Sequence, residues 1–401
     1  MSEVTTKELQ EFRAEISAWV KENKPAEPDF LLPLTFMEVG TEQQLDFLRE
    51  WQRTIYDAGY LGMAWPKEYG GHSMDPKFQA IADQTFRAHR CPITFNWVGL
   101  GWAGPLINHM GTEAEKQKHL KGILTAEDIW CQGFSEPDHG SDLGSAQTRA
   151  VRDGDEYVIN GQKIWTTHGN YAKYMILVAR TNPEAKRKYD GLSFFLAPMN
   201  TPGIEARPIR KLTGEYGFTE TFFTDARIPA DCLMGEEGQG WKIAMQTLQF
   251  ERGAEAGAAG GVATVSNTVD DMVNEIKGIQ RDGESVLKDP LVRDELVKLI
   301  MSQKALALQT RRSMIKPLTM DYPGSLMLGR KLTNTEHGRA MRKFAVNMMG
   351  AQGGLYVGDE DVLSGGFWQR AYLNSLGATI GGGTSQVQTN ILGEKVLGLP
   401  K

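Results

Sequence analysis

Glu156-Tyr157-Val158-Ile159-Asn160-Gly161-Gln162-Lys163-Ile164-Trp165-Thr166-Thr167 alternates apolar and polar side chains, the period of a half-buried strand. At its centre, Asn160-Gly161 predicts a two-residue hairpin turn, because both positions tolerate positive φ. The β-rich runs YMILVAR, LSFFLA and ETFFTDARIP follow, separated by Pro, Gly, Asn and Asp. Together they predict an antiparallel unit, sheet-on-sheet or barrel-like.

On both sides of this unit the period changes to that of helices. Leu9, Phe12, Ile16, Trp19 and Val20 share one helical face after Thr5 and Thr6 as candidate caps. Leu45, Leu48, Trp51 and Ile55 repeat the pattern, and a third helix is predicted to open at Asp75-Pro76, burying Phe78, Ile81 and Phe86. Beyond Gly240 helices return, with long stretches over 288–318 and 330–349 joined by a loop near 321–324. The fold class is therefore α+β: an N-terminal helical domain (1–126), a central antiparallel β domain (127–236) and a C-terminal helical bundle (237–401).

The 401 residues exceed one ordinary core, which agrees with several packed units. A net charge of −6 disfavours a nucleic-acid binder, which needs a basic face. Cys91, Cys131 and Cys232 lack C-x-x-C spacing, so neither a disulfide framework nor a thiolate zinc site is expected, and no metal. The opening MSEVTTKELQEF lacks the apolar core of a signal peptide, and no apolar run approaches the ~20 residues of a membrane span. A cytoplasmic enzyme is the expectation.

Two segments are candidates for chemistry. Cys131-Gln132-Gly133-Phe134-Ser135-Glu136-Pro137-Asp138-His139-Gly140-Ser141-Asp142 is rich in Gly and Ser, which let backbone N–H groups and hydroxyls approach a polar ligand. By itself it also reads as a plain surface loop. Lys163-Ile164-Trp165-Thr166-Thr167 sets an indole beside two hydroxyls, suited either to flank a planar heterocycle or to fill a core.

In order and separation, SEPDHGSD and NGQKIWTT resemble the TEPGxGSD and NGxKxWITN segments of the acyl-CoA dehydrogenase family. The closing GGGTSQVQTNILGEKVLGLP is similar to that family's YEGTxxIQ tail, and the helical–β–helical order agrees. The resemblance implies an FAD-dependent oxidoreductase acting on an acyl-CoA thioester. It implies flavin contacts at Gln132, Phe134, Ser135, Gly140, Ser141, Trp165 and Thr167, with Thr167 near the reactive nitrogen. Thr384 and Gln386 would hold the pyrophosphate or adenosine side, and Gly350 and Gly353 a neighbouring subunit's adenosine. Substrate contacts are implied at Ser141, Gln249, Arg252, Gly382 and Gly383. The implied partners are an electron-transferring flavoprotein and further subunits, in a homotetramer or heterotetramer.

The chain departs from the common pattern where most members carry a catalytic glutamate, at Gly382. Met245–Arg252 (MQTLQFER) resembles instead the MSGLDLER stretch of the isovaleryl-CoA and long-chain branches, whose base projects from this earlier helix. That resemblance assigns the Cα proton to Glu251, beside Arg252, and leaves the backbone N–H of Gly382 to stabilise the developing enolate. Hydride would leave Cβ for FAD, giving a 2-enoyl-CoA. A second departure lies at Gly278–Gly283, where Arg281 remains without the Arg-x-x-Phe-Gly spacing that opens the next helix, as in large subunits of dicarboxylyl- and steroid-type members. Gly253–Gly261 reads as a small-residue helix wall, either leaving room for a bulky acyl group or allowing close helix packing. Two rival readings keep the fold: an acyl-CoA-binding partner subunit without turnover, and a related flavin oxidase or monooxygenase.

Overall fold

The computed structural model describes residues 5–251, 258–265, 268–313, 315–319 and 329–400. They fall into two compact units, one ending with residue 265 and one beginning with residue 268.

The first unit opens with the three expected helices. α1 (Thr6–Asn23) starts in a capping box in which Thr5 accepts from the Glu8 N–H and Glu8 accepts from the Thr5 N–H. α2 (Glu42–Asp57) buries Leu45, Leu48, Trp51 and Ile55. α3 (Pro76–Ala88) has Asp75 as N-cap and Pro at its start, as predicted, and buries Phe86. A π-helical segment (Val98–Ala103) runs into α4 (Gly104–Met110), and α5 (Glu113–Leu124) follows. Among the described residues no helix is long and apolar enough to cross a membrane.

Eight strands then form one sheet: β1 (Trp130–Gly133), β2 (Arg149–Asp153), β3 (Glu156–Thr167), β4 (Tyr174–Arg180), β5 (Leu192–Pro198), β6 (Ile204–Ile209), β7 (Phe218–Pro229) and β8 (Leu233–Met234). The order is β6-β7-β3-β2-β4-β5-β8, with β1 beside β4. Two expectations need correction. The sheet is not antiparallel throughout, because β1 and β2 both run parallel to β4. The Asn160-Gly161 hairpin is absent as well: β3 continues through it, and the turn joining β2 to β3 is Gly154-Asp155. Asn160 instead serves a bulge, where it opposes two residues of β7. Its side chain donates to the Asp225 carboxylate (3.0 Å) and accepts from the Asp225 N–H (2.9 Å). Gly161 (φ +149°) is needed because a Cβ there would lie 2.7 Å from the Thr148 backbone.

α6 (Gly240–Glu251) packs on β5 and the π-helical segment, burying Ile243, Ala244, Thr247 and Phe250. Residues 258–265 then thread back through the N-terminal helices as an extended strap. The Ala259 N–H donates to the Leu100 carbonyl (2.9 Å), and the Gly62 N–H donates to the Ala259 carbonyl (2.7 Å). The Val262 N–H donates to Thr94 Oγ1 (2.9 Å) and the Gly261 N–H to Asp83 Oδ1 (2.7 Å). Gly260 and Gly261 have φ of +95° and +104°, and Cβ atoms there would collide with Gln79 and Thr94. The small-residue helix wall expected over 253–261 is therefore corrected at its described end; residues 253–257 lie outside the described residues.

Asp83 keeps part of its surface exposed, yet desolvation pushes its pKa up to about 6, against the opposing hydrogen bonds from Gly261 and Gln79. A raised carboxyl pKa means that the folded state holds the proton more tightly, so this group's contribution falls as pH rises from about 4 to about 6. Asp83→Asn is expected to be more stable than the parent at pH 8 by about 1–3 kcal/mol, with the advantage shrinking below pH 5. Thermal unfolding of both proteins across that range measures it; an advantage independent of pH would contradict the assignment.

The second unit holds α7 (Val269–Ile276), α8 (Pro290–Ser313), α9 (Arg330–Met348), α10 (Phe367–Ala378) and α11 (Ser385–Lys395). Their shared core includes Met272, Met341, Phe344 and Trp368. Arg281 does not open a helix. It lies in a short hairpin, β9 (Gln280–Arg281) with β10 (Glu284–Ser285), turned by Asp282 (φ +53°) and Gly283 (φ +79°). The loop expected near 321–324 lies outside the described residues.

Candidate functional site

Main-chain and ionic contacts bring the two motif segments together. As the chain leaves β1, the Ile164 N–H donates to the Ser135 carbonyl (2.9 Å) and Lys163 Nζ donates to the Phe134 carbonyl (3.0 Å). Lys163 Nζ also lies 2.8 Å from Glu136 Oε1, with the Lys side chain fully buried and the Glu 6% exposed. The Glu136 carboxylate accepts two more bonds, from the N–H groups of Gln147 (2.6 Å) and Thr148 (2.8 Å). Burial alone would raise its pKa; the Lys163 charge and these donors outweigh burial and hold it below the usual range. Burial drives Lys163 down to about 8, with the Glu136 charge opposing. This pair ties loop, strand and the entry to β2 into one rigid piece.

Neither Glu136 nor Lys163 was singled out as functional from the sequence, though both lie inside the quoted strings. A charged residue in the alternating run of β3, at a position that points into the sheet's core, was the available signal.

Trp165 sits in a second β3 bulge, where Ile164 and Trp165 together oppose one residue of β7. Its φ is +61°, a conformation that a bulky side chain rarely adopts, and its indole stands edge-on to Phe218 with ring centroids 5.9 Å apart. The residue is 55% exposed, so the indole fills no core of this unit. Thr167 is buried at the end of the strand. Across the loop, Phe134 is buried, Gln132 and Ser135 are half-buried, and Gly140 and Ser141 are exposed. A side chain added at Gly140 would enter open space. A strained, outward-facing indole, nearby hydroxyls and a loop whose glycine leaves room fit a planar, hydrogen-bonding cofactor such as a flavin.

Glu251 is the last residue of α6 and is half-buried. Gln249 on the same turn is exposed, and Arg252 lies outside the described residues. Phe250 between them is buried, its ring edge-on to His109 of α4 at 6.4 Å.

In the second unit, Gly382 (φ +68°) and Gly383 (φ +95°) form the turn before α11. Gln388 donates to the Gly382 carbonyl (2.9 Å) and Lys331 to the Gly383 carbonyl (2.6 Å), so both peptide planes are held. Thr384 is the N-cap of α11, accepting from the Val387 N–H at 3.1 Å, with Gln386 exposed in the first turn. Gly350 (φ +59°) is exposed at the end of α9. Gly353 is required by packing, since a Cβ there would lie 2.6 Å from the Val346 carbonyl.

Comparison with known proteins covers nearly the whole chain. Family models described as the acyl-CoA dehydrogenase N-terminal, middle and C-terminal domains match residues 6–127, 131–226 and 238–397. Acyl-CoA dehydrogenase IpdE1 of Mycolicibacterium smegmatis is 35% identical over 410 residues, covering 98% of each chain. The human mitochondrial short-chain specific acyl-CoA dehydrogenase is 30% identical over 84% of this chain and 80% of its own. Among solved structures, the Tcur3481-Tcur3483 steroid ACAD matches with a TM-score of 0.79 and 30% identity, covering 100% of both chains.

Proposed function

Because this chain belongs to the acyl-CoA dehydrogenase family and uses FAD, we propose that it removes two hydrogens from an acyl-CoA, with Glu251 taking the Cα proton. The observation that carries this reading is a glutamate at the half-buried end of α6 in a chain whose position 382 is glycine rather than glutamate. FAD, when bound, would supply the acceptor for the hydride from Cβ. Trp165 and Thr167 would flank its ring system, and Gln132, Phe134, Ser135, Gly140 and Ser141 its edge and ribityl chain. Gly350, Gly353, Thr384 and Gln386 would serve the pyrophosphate and adenosine.

The chain's own groups share the rest of the work. A thioester Cα–H is a weak acid, so its removal needs both a positioned base and a donor to the carbonyl oxygen. Glu251 supplies the first. The Gly382 N–H, in a turn whose carbonyls are tied down, supplies the second. Gln249, Arg252, Ser141 and Gly383 would contact the substrate. Similarity to a protein named a steroid ACAD supports an alicyclic acyl group, and that protein's two-part name supports a second kind of chain in the assembly, a heterotetramer rather than a homotetramer. An electron-transferring flavoprotein is the proposed acceptor.

The purified protein should be yellow. Under anaerobic conditions, a bulky cyclic acyl-CoA should bleach its flavin and give the 2-enoyl-CoA by mass spectrometry. A protein that stays colourless with added FAD would overturn this reading. Rapid oxygen consumption without a flavoprotein acceptor would move it to an oxidase.

A further inference from the structure

We propose that Asp83 is a positioning residue for Glu251, acting through the strap of residues 258–265; this rests on Glu251 being the base. Asp83 accepts from the Gly261 N–H at 2.7 Å and from Gln79 Nε2 at 3.0 Å, while Gln79 Oε1 accepts from the Met63 N–H at 3.1 Å. Gly261 is thereby fixed between α3 and Thr94, whose Oγ1 accepts from the Val262 N–H. Two residues before Gly261, the Ala259 N–H donates to the Leu100 carbonyl, inside the π-helical segment against which α6 packs. Every link from Asp83 to the α6 helix is thus a hydrogen bond or a packed face within one compact unit.

The strap admits no slack. Gly260 and Gly261 hold φ values open to glycine, and each lies where a Cβ would overlap Gln79 or Thr94. Phe36 N–H to the Ala263 carbonyl (2.9 Å) and Val265 N–H to the Leu34 carbonyl (2.7 Å) fasten its far end. Asp83 is the one carboxylate among the groups that accept from strap N–H donors in the described residues. Losing it frees the strap where it meets the π-helical segment, and the end of α6 loses its fixed support. A displacement of about 1 Å at a reacting group costs about 100-fold in rate.

The experiment uses the full-length flavoprotein and compares Asp83→Ala, Asp83→Asn and Glu251→Gln, together with the Asp83→Ala/Glu251→Gln double variant. Anaerobic bleaching by the acyl-CoA that reduces the parent should slow about 10- to 100-fold in Asp83→Ala, with KM and FAD content unchanged. Asp83→Asn keeps an accepting oxygen and should bleach near the parent rate. In the Glu251→Gln background, Asp83→Ala should slow the residual rate no further, because its target is already gone. Amide hydrogen exchange should show lost protection at 258–265 and at the C-terminal turn of α6 with Asp83→Ala, and not with Asp83→Asn or Glu251→Gln. If Asp83→Ala fails to fold, Asp83→Glu, which displaces the carboxylate by one methylene, should show the same slowing and exchange. Asp83→Ala, or Asp83→Glu in its place, bleaching within twofold of the parent would overturn the proposal. Equal slowing in both backgrounds would do the same, marking Asp83 as generally structural. Normal bleaching by Glu251→Gln alone would instead remove the base assignment on which the inference stands.

Discussion

Glu251→Gln is expected to lower the rate of flavin bleaching by the preferred acyl-CoA by about 10⁴-fold, the upper end for a positioned general base. The substitution keeps size and much of the hydrogen-bonding capacity while removing the proton acceptor. Acyl-CoA should still bind, since the Gly382 N–H remains, so a shifted flavin spectrum should persist without reduction. Adding Gly382→Glu should recover part of the rate by returning a carboxylate to the position that most family members use. If Glu251 were a solvated helix residue, the change would alter stability by no more than about 0.5 kcal/mol and leave turnover intact. Stopped-flow bleaching with FAD content matched between variants separates the two.

The second large effect falls on stability and cofactor retention. Lys163→Met removes the cation from a buried pair and leaves the Glu136 carboxylate with two backbone donors and only the more distant Arg180 charge. Removing one partner of a buried pair costs about 3–5 kcal/mol. The loop from Phe134 to Ser141 would also lose its side-chain ties to β3, keeping only the Ile164 N–H bond to the Ser135 carbonyl, so FAD should dissociate more readily. Adding Glu136→Gln removes the stranded charge and should restore part of the stability. Urea unfolding and FAD release on gel filtration measure both. A single Lys163→Met variant as stable and as yellow as the parent would show that the pair does not hold the loop.

The helices were legible because their signals are local. Thr5 with Glu8 and Asp75 with Pro76 are caps that act within one turn, and the faces of α1 and α2 repeat over several. Asn160-Gly161 misled because its φ tolerance serves a bulge as well as a turn, and only the partner strand decides which. Asp225 on β7, which pairs with the Asn160 side chain, lies 65 residues away. The same long range hid the parallel contact of β1 with β4 and the Glu136–Lys163 pair, 27 residues apart. The strap was hidden for a different reason. A run of Gly and Ala has no side-chain pattern to distinguish a packed helix wall from an extended chain, and the decisive groups, Asp83, Gln79 and Thr94, sit on other elements. For the site, resemblance supplied the residue set, and the structure adds how Trp165 is presented and what holds the loop beside it.

The claim that Glu251 performs the proton transfer is tested most directly by hydrogen exchange at Cα. An acyl-CoA that binds is incubated anaerobically in heavy water with parent enzyme or with Glu251→Gln, and the recovered thioester is weighed by mass spectrometry. The account predicts deuterium at Cα with the parent and none above the enzyme-free control with Glu251→Gln at equal FAD content. Equal deuterium incorporation by both proteins would contradict it.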